Sequence, residues 1–119
     1  MKPGTMLNQH DIVLVPIPFT DLTSKRRRPV VVVSNDEYNR KTEDIVAVAM
    51  TSNLKTANYS FTITSADLTA GSPKKASRIR VDKIYTLAQS IVVKRFGRLR
   101  EDSFDRIHQL LGALVGERR

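Results

Sequence analysis

The chain of 119 residues contains no cysteine and no tryptophan, and it has only two histidines. Without cysteine, it can form neither a disulfide nor a thiolate metal site. The histidines, His10 and His108, lie far apart in sequence and form no metal-ligand motif. The sequence therefore predicts no metal site and no cofactor.

Long apolar segments are missing as well. No run of apolar residues is long enough to span a bilayer, and none follows Met1 to Gly4 in the way a secretion signal would. The hydrophobic content of 40% is that of an ordinary soluble protein, and the length suits one hydrophobic core rather than two. We therefore expect a cytoplasmic protein with one domain over residues 1–119, whose core spans about residues 10–116.

Acidic residues are few compared with basic ones. Twelve Asp and Glu face twenty Lys and Arg, which leaves a net charge of +8 and a pI near 10.2. Such an excess on a small domain favours polyanionic partners through phosphate neutralisation and counterion release. A membrane surface is a weaker alternative because no long basic amphipathic helix is evident. The charge therefore indicates nucleic acid, or a protein that handles it, as the partner.

Three arginines, Arg26 to Arg28, lead directly into Pro29 and four consecutive valines. β-Branched residues favour a strand, and a run of them without alternation is typical of a strand that is covered on both faces. Pro29 has no backbone N–H and therefore belongs at the start or the edge of that strand. On these residues alone, Arg28 is a solvated arginine that flanks a core strand.

The rest of the chain predicts several short strands and little helix. Apolar runs and alternation predict further strands at residues 11–19, 45–50, 59–63, 78–82, 84–87 and 91–96, the last ended by Gly97. The alternation breaks at residues 82–84, where we expect a bulge or a bend. A short helical turn should follow Ser34 or Asn35 as its N-cap, and residues 65–76 read as a loop.

Residues 102–115 predict one amphipathic helix, because their apolar side chains recur at helical spacing. Asp102 and Ser103 are N-terminal signals, and Gly116 is a stop signal. The apolar face consists of Phe104, Ile107, Leu110, Leu111, Leu114 and Val115. Short strands followed by one helix predict a mainly β fold: a small, strongly curved sheet or barrel with a C-terminal helix.

Cleavage of RNA by its own 2′-hydroxyl requires a base, cations for the developing charge and an acid, but no metal. Arg80 and Asp82 lie at i and i+2, which on a strand places them on one face about 6–7 Å apart, a separation that would flank one phosphodiester. A same-face ion pair is the alternative, and the spacing alone favours it. Arg78 extends this face, while Thr51 and Ser52 offer hydroxyls or simple turn chemistry at a strand end.

Histidine and aromatic side chains offer weaker candidates. His10 titrates near neutrality, yet a lone histidine before a strand is more often structural. Tyr59, Phe61 and Tyr85 are of the type that stacks on bases, although core packing is the simpler interpretation of Phe61. His108 lies on the polar side of the predicted helix and receives no role.

Taken in order, these segments resemble the MazF/PemK/Kid family of toxins from toxin–antitoxin systems. The resemblance covers roughly residues 10–115. It is carried by the order and spacing of the segments Asp11-Ile-Val-Leu-Val-Pro16, Arg28-Pro-Val-Val-Val-Val-Ser34, Val46-Ala-Val-Ala-Met-Thr-Ser52, Arg80-Val-Asp-Lys-Ile-Tyr-Thr-Leu87 and Ile91-Val-Val-Lys-Arg-Phe-Gly97.

The resemblance implies an SH3-like β-barrel, usually a homodimer, that acts as a sequence-selective and metal-independent endoribonuclease. Its substrate would be single-stranded RNA, mainly mRNA, and a cognate antitoxin would cover the RNA groove. Arg28 matches an arginine that contacts the scissile phosphate, and Thr51 matches a threonine that orients it. Arg80 and Asp82 match an Arg-x-Asp pair that is given acid and base roles in the Kid-like branch. Branches of the family do not share one assignment, so which of Arg28, Arg80 and Asp82 is acid or base stays open. The set expected to bind RNA comprises Lys25, Arg26, Arg27, Ser52 and Arg78.

The chain departs from the family pattern at two places. His10 stands where the family usually has glycine before Asp-Ile-Val, and the loop from Thr20 to Arg27 lacks the common Gly-x-Glu-Gln pattern. Two other functions therefore stay open. The first is a toxin like CcdB, which has a related fold and inhibits DNA gyrase by binding to it. The second is a plain nucleic-acid-binding barrel, for which the positive charge of the chain is a sufficient explanation.

Overall fold

The computed structural model describes residues 6–16, 27–71, 73 and 75–117. Its strands are β1 (Asp11–Val15), β2 (Arg28–Val32), β3 (Asp44–Thr51), β4 (Ser60–Ile63), β5 (Leu68–Ala70), β6 (Ser77–Ala88) and β7 (Lys94–Leu99). Its helices are α1 (Asp36–Lys41) and α2 (Glu101–Val115). The strands form one curled antiparallel sheet in the order β4-β6-β3-β2-β1-β7-β5. The prediction of a small, curved, mainly β fold with a C-terminal helix is confirmed.

The valine strand lies at the centre of the sheet, and its side chains enter two separate cores. Val31 packs in one core with Ile12, Phe61 and the helix α2, while Val30 and Val32 pack in the other. All three valines are completely buried. The prediction of a strand covered on both faces is therefore confirmed, as is the place of Pro29 near the start of β2.

The β1 strand ends at Val15, immediately before Pro16, which agrees with a strand that ends at its prolines. The predicted continuation over residues 17–19 lies outside the described residues. In the region predicted as a strand over residues 59–63, β4 begins only at Ser60, because Tyr59 has a positive φ of 56° that is incompatible with an extended strand.

The predicted last strand is present, but its predicted bounds, residues 91–96, are wrong at both ends. Residues Gln89–Ile91 form a 3-10 turn, and β7 runs through Gly97 rather than ending there. Glycine is required at this position by a close approach of two strands. A Cβ on Gly97 would lie 2.6 Å from the carbonyl oxygen of Ala70 in β5. Gly97 therefore permits pairing within a strand instead of stopping it.

The Gly97→Ala substitution is expected to lower the free energy of unfolding by roughly 1–3 kcal/mol, because the new methyl group meets backbone that cannot turn away. Gly112→Ala is the matched control. No atom lies within 4 Å of a Cβ at Gly112 in α2, so this change should raise stability by about 0.5–1 kcal/mol. Urea unfolding at one protein concentration measures both, and equal stability of the two variants would contradict the expectation.

The prediction of a loop over residues 65–76 is wrong in part. Thr64 and Asp67 form a capping box around a 3-10 turn at Ser65–Asp67. The short strand β5 follows and pairs with β7 at the edge of the sheet. A three-residue strand carries too little pattern of its own to be distinguished from a loop, so its existence depends on the distant partner strand.

The α1 helix has a side-chain cap at its N-terminus, whereas the α2 helix has none. The side chain of Asn35 accepts a hydrogen bond from the backbone N–H of Tyr38, so Asn35, rather than Ser34, is the N-cap of α1. The α2 helix spans Glu101–Val115, so it begins one residue before the prediction, and Gly116 is its C-cap as predicted. The prediction of Asp102 and Ser103 as N-terminal signals is wrong, because both lie inside the helix and its N-cap is Arg100, which makes no side-chain capping hydrogen bond. The apolar face of α2 is buried only in part, since Val115 is 77% exposed. Within the described residues, no helix is long and apolar enough to cross a membrane.

Candidate active site

The ends of three neighbouring strands bring together most of the predicted site. Arg28 is the first residue of β2, and Thr51 is the last residue of β3. In the register of β3 and β6, Thr51 lies opposite Arg78, and Ala49 lies opposite Arg80. Opposed residues of antiparallel strands share a face, and the register of β2 and β3 places Arg28 on that face too. The sheet thus assembles one polar surface from segments that are distant in sequence.

This surface is the wall of a cleft of about 470 Å³. Five lining residues are cationic, namely Arg28, Lys55, Arg78, Arg80 and Lys83. Hydroxyl groups are supplied by Thr51, Thr56 and Tyr85, and no carboxylate belongs to the described residues that line the cleft. Cations gathered against low-dielectric walls focus a positive potential. The cleft is therefore suited to a polyanion and unsuited to a cationic ligand.

Arg80 and Asp82 meet in a bidentate ion pair at the edge of the cleft. Arg80 Nε and Nη2 donate to the two carboxylate oxygens of Asp82 at 2.9 and 2.8 Å, and each side chain is 29% exposed. The hydrogen bonds from Arg80 lower the pKa of Asp82, and the same contact raises the pKa of Arg80. The ion pair that the sequence left as the alternative is present, so a base role for Asp82 requires that this pair opens.

A bulge in β6 shapes the same part of the cleft. Val48 of β3 pairs with Ile84, but the next residue, Ala49, pairs with Arg80, so three residues of β6 stand without partners on β3. Asp82 lies within this bulge, which confirms the bulge predicted at residues 82–84. Bulges redirect side chains and are frequent beside active sites. Here the bulge allows residues on both of its sides, Arg80 and Tyr85, to line one cleft.

Thr51 provides a hydroxyl group with a fixed orientation. Its Oγ1 accepts a hydrogen bond from the backbone N–H of Asn53 at 3.1 Å. The hydroxyl hydrogen is then left to donate to an anion in the cleft. Turn chemistry and a site role, which the sequence posed as alternatives for Thr51, are therefore compatible with each other.

The residues predicted to bind RNA divide into three groups. Arg78 lines the cleft. Arg27 and Ser52 are exposed next to cleft residues but do not line it themselves. Lys25 and Arg26 lie outside the described residues.

The sequence reasoning missed the two lysines of the cleft. Lys55 belongs to the segment between β3 and β4, and Lys83 belongs to the bulge of β6. A signal for both was present, since Lys55 closely follows the predicted strand end at Thr51 and Ser52, and Lys83 lies within the predicted bulge. Neither signal shows which way the side chain turns, so the cleft becomes visible only in the folded chain.

Of the three aromatic candidates, only Tyr85 lines the cleft. Burial, followed by the nearby charge of Asp82, raises the pKa of Tyr85, so the phenol stays protonated and able to donate a hydrogen bond. Phe61 is 3% exposed and belongs to the core, as the simpler interpretation held. Tyr59 does not line the cleft.

His10 has a backbone conformation that is unusual for a non-glycine residue, and its ring packs against another side chain. Its φ is 83°, in the region that favours glycine, which explains why glycine is usual at this position in the family that the sequence resembles. The ring lies 4.2 Å from that of Phe104 in α2. Burial, followed by the charge of Arg98, lowers the pKa of His10, so the ring is neutral at physiological pH. His10 does not line the cleft.

Metal chemistry has no obvious ligand set in the described part of the chain. Its His, Asp and Glu side chains form no group of three or more that could hold a metal ion. The cleft itself offers ammonium, guanidinium and hydroxyl groups, which bind anions rather than metal cations.

The comparison with protein families decides the identity of the fold. Residues 8–115 match the model of the PemK-like, MazF-like toxin of type II toxin–antitoxin systems. The chain belongs to this family. The resemblance drawn from the segments is thereby confirmed, and the match includes every described residue of the cleft. No curated protein matches the chain in a sequence search.

Solved structures of MazF-like toxins share the fold. MazF from Deinococcus radiodurans superposes with a TM-score of 0.74 at 21% identity, covering 96% of this chain and 100% of that one. The MazE–MazF complex from the same organism gives 0.75 at 20% identity, covering 96% and 100%. An endoribonuclease in complex with its cognate antitoxin, from a mycobacterial species, gives 0.72 at 20%, covering 95% and 98%. The predicted MazF-like fold is therefore confirmed.

Proposed function

We propose that this MazF-like toxin is an endoribonuclease that cleaves single-stranded RNA in the cytoplasm and so inhibits translation. The observation that carries the proposal is the cleft, which is lined by five cationic side chains and the hydroxyl of Thr51 and at whose edge Arg80 pairs with Asp82. RNA carries the matching phosphate charges and its own nucleophile, the 2′-hydroxyl. The reaction would leave a 2′,3′-cyclic phosphate and a 5′-hydroxyl without a metal ion.

The scissile phosphate would lie between Arg28, the hydroxyl of Thr51 and Arg80. Arginine suits this task because it stays charged and presents a planar set of donors to phosphate oxygens. Charge on these oxygens grows in the transition state, and preorganised donors then stabilise it more than they stabilise the bound substrate. Arg28 is the first residue of β2, and the three completely buried valines of that strand fix its backbone before the substrate arrives.

Asp82 would act as the base once the phosphate takes Arg80 away from it. A phosphate is a better partner for Arg80 than one carboxylate, because the other cleft cations hold it in place. The freed carboxylate accepts the 2′-hydroxyl proton, the 2′-oxygen forms a bond to phosphorus, and the P–O5′ bond breaks. Arg28, which stays charged, stabilises the charge that develops on the leaving oxygen. Solvent supplies the proton that this oxygen takes and receives the proton that Asp82 accepted.

The remaining basic residues would hold RNA beyond the reacting bond. Lys25, Arg26, Arg27 and Ser52 would contact the RNA strand, and Arg78 would contact it inside the cleft. Two of the similar structures contain the toxin with its antitoxin, MazE or a cognate antitoxin. We extend this to the present chain: a cognate antitoxin covers the positive cleft, and the toxin forms a homodimer as the family does.

Incubation of the purified protein with a long single-stranded RNA in excess EDTA tests the proposal. Discrete fragments that end in a cyclic phosphate are expected, and their ends would map the preferred sequence. Intact RNA across several diverse substrates, from a folded protein, would contradict the enzyme assignment. Toxicity with intact RNA and stalled gyrase complexes would then indicate a toxin that acts by binding gyrase.

A further inference from the structure

Arg78 differs from Arg80, the next arginine of the cleft on the same strand. Arg80 is neutralised by Asp82, whereas no carboxylate of the described residues lies within ion-pair distance of Arg78. Its only described hydrogen bond runs from Nη1 to the hydroxyl oxygen of Ser60 at 2.8 Å. Arg78 thus carries its full positive charge at a half-buried position in the cleft wall.

Ser60 holds the guanidinium of Arg78 in one direction. The hydroxyl of Ser60 donates to the carbonyl oxygen of Ala57 at 2.5 Å, so its own oxygen is oriented to accept from Arg78. Ala57 itself lines the cleft, and Ser60 is the first residue of β4 at the sheet edge. A long arginine side chain normally loses rotamer freedom on binding a ligand, and this anchor removes much of that freedom beforehand.

The Nε atom of Arg78 is buried and has no hydrogen-bond partner among the described residues. Buried donors without an acceptor are uncommon in folded proteins, and each one asks for an explanation. An anionic oxygen that enters the cleft beside this guanidinium would supply the missing acceptor. Arginine commonly offers two neighbouring N–H groups to a phosphate, and Nε is one of them.

The position of Arg78 separates it from Arg28. Thr51 lies between them on β3, so their backbones are two strands apart, roughly 9–10 Å across the sheet. The anchor on Ser60 then draws the guanidinium of Arg78 towards β4, away from Arg28. If Arg28 holds the scissile phosphate, Arg78 is placed for a different phosphate of the same strand.

We propose that Arg78, positioned by Ser60, binds a phosphate adjacent to the scissile one, so that the cleft holds the RNA strand at two successive phosphates. This inference rests on the proposed function and adds a second anion subsite to it. Ser60 is a positioning residue that acts through Arg78.

A binding experiment with site-specific neutral linkages tests the subsite. The RNA carries the mapped cleavage sequence and a 2′-deoxy sugar at the attacking nucleotide, so it binds without being cleaved. In each oligonucleotide of the series, one phosphate is replaced by an uncharged methylphosphonate. The Kd is measured for wild type, for Arg78→Ala and for Arg40→Ala, the control that removes a charge from the exposed end of α1.

Wild type should lose about tenfold in affinity when the adjacent phosphate is neutralised. Arg78→Ala should bind the unmodified strand about tenfold more weakly and lose no more at that phosphate, while its sensitivity at the scissile phosphate remains. Arg40→Ala should follow wild type at every position. If Arg78→Ala keeps the full wild-type sensitivity at the adjacent phosphate, or loses sensitivity at the scissile phosphate instead, the inference is wrong.

Variants of Ser60 test the same subsite without removing the arginine. Ser60→Thr keeps the hydroxyl and should retain the sensitivity to the adjacent phosphate, whereas Ser60→Ala should reduce it severalfold. Full sensitivity in Ser60→Ala would refute the positioning role. A wild-type protein that cleaves no RNA would contradict the proposed function, whereas cleavage without this coupling would contradict the inference alone.

Discussion

The Arg28→Ala variant is expected to cleave RNA roughly 10²–10³ times more slowly than wild type, because one preorganised donor to the charged phosphate is removed. The fold should survive, since Arg28 is the first residue of β2 and the core is formed by the valines that follow it. Single-turnover cleavage at saturating RNA measures the rate, and circular dichroism with thermal unfolding checks the fold.

Two further variants separate the effect of the guanidinium of Arg28 from that of charge alone. Arg28→Lys keeps the charge but not the planar set of donors, so it should recover only part of the rate. Arg40→Ala removes the same charge far from the cleft and should cleave at the wild-type rate. If Arg28→Ala, folded and saturated with RNA, cleaved as fast as wild type, Arg28 would have no part in catalysis.

The central strands could be predicted because their pattern is local. Four valines in a row leave no polar face, and their β-branched side chains favour a strand that is buried on both faces. The structure distributes Val30, Val31 and Val32 between two cores in just this way. The alternation of Ile79 and Val81, both completely buried, fixed the inner face of β6 in the same manner.

The edge of the sheet could not be predicted because it depends on a contact between distant residues. Strand β5 has only three residues, and it exists because β7 lies against it. Gly97 looks like a stop signal in the sequence, yet it is the residue that lets the two backbones approach. Nothing near Gly97 in sequence shows that Ala70 will be its neighbour.

In the candidate site too, the local features could be predicted from the sequence, whereas the contacts between side chains could not. The residue types and their spacing placed Arg80 and Asp82 on one face, but their bidentate contact depends on side-chain torsions that spacing does not define. The anchor of Arg78 on Ser60 was missed because it joins β6 to β4, residues 18 positions apart. Family resemblance supplied the candidates, and only the fold shows which of them share a cleft.

The Asp82→Asn variant is expected to lower the rate of cleavage roughly 10²–10⁴-fold, the contribution of a positioned general base. It should bind non-cleavable RNA at least as tightly as wild type, because Arg80 loses the carboxylate that competes with the phosphate. Opposite effects on rate and affinity separate this role from simple loss of folding. Wild-type rates in Asp82→Asn would show that another group is the base.

The pH dependence tests whether the phosphate releases Asp82 from Arg80. A base must be deprotonated, so activity falls as the pH is lowered through the pKa of Asp82. In the free protein the hydrogen bonds from Arg80 lower this pKa, and kcat/KM, which reports the free protein, should persist to pH values below the ordinary aspartate range. In the RNA complex Arg80 turns to the phosphate, so the pKa rises and kcat should fall at a higher pH than kcat/KM does.

Arg80→Ala provides the control for this separation, since Asp82 then has no ion-pair partner to lose. In that variant, the pH values at which kcat and kcat/KM fall on acidification (their acid limbs) should lie closer together. The acid limb of kcat/KM should move to higher pH. Coincident limbs in wild type would mean that the ion pair stays closed during the reaction. A carboxylate held by two hydrogen bonds from Arg80 would then be too weak a base, and the proton would have to go elsewhere.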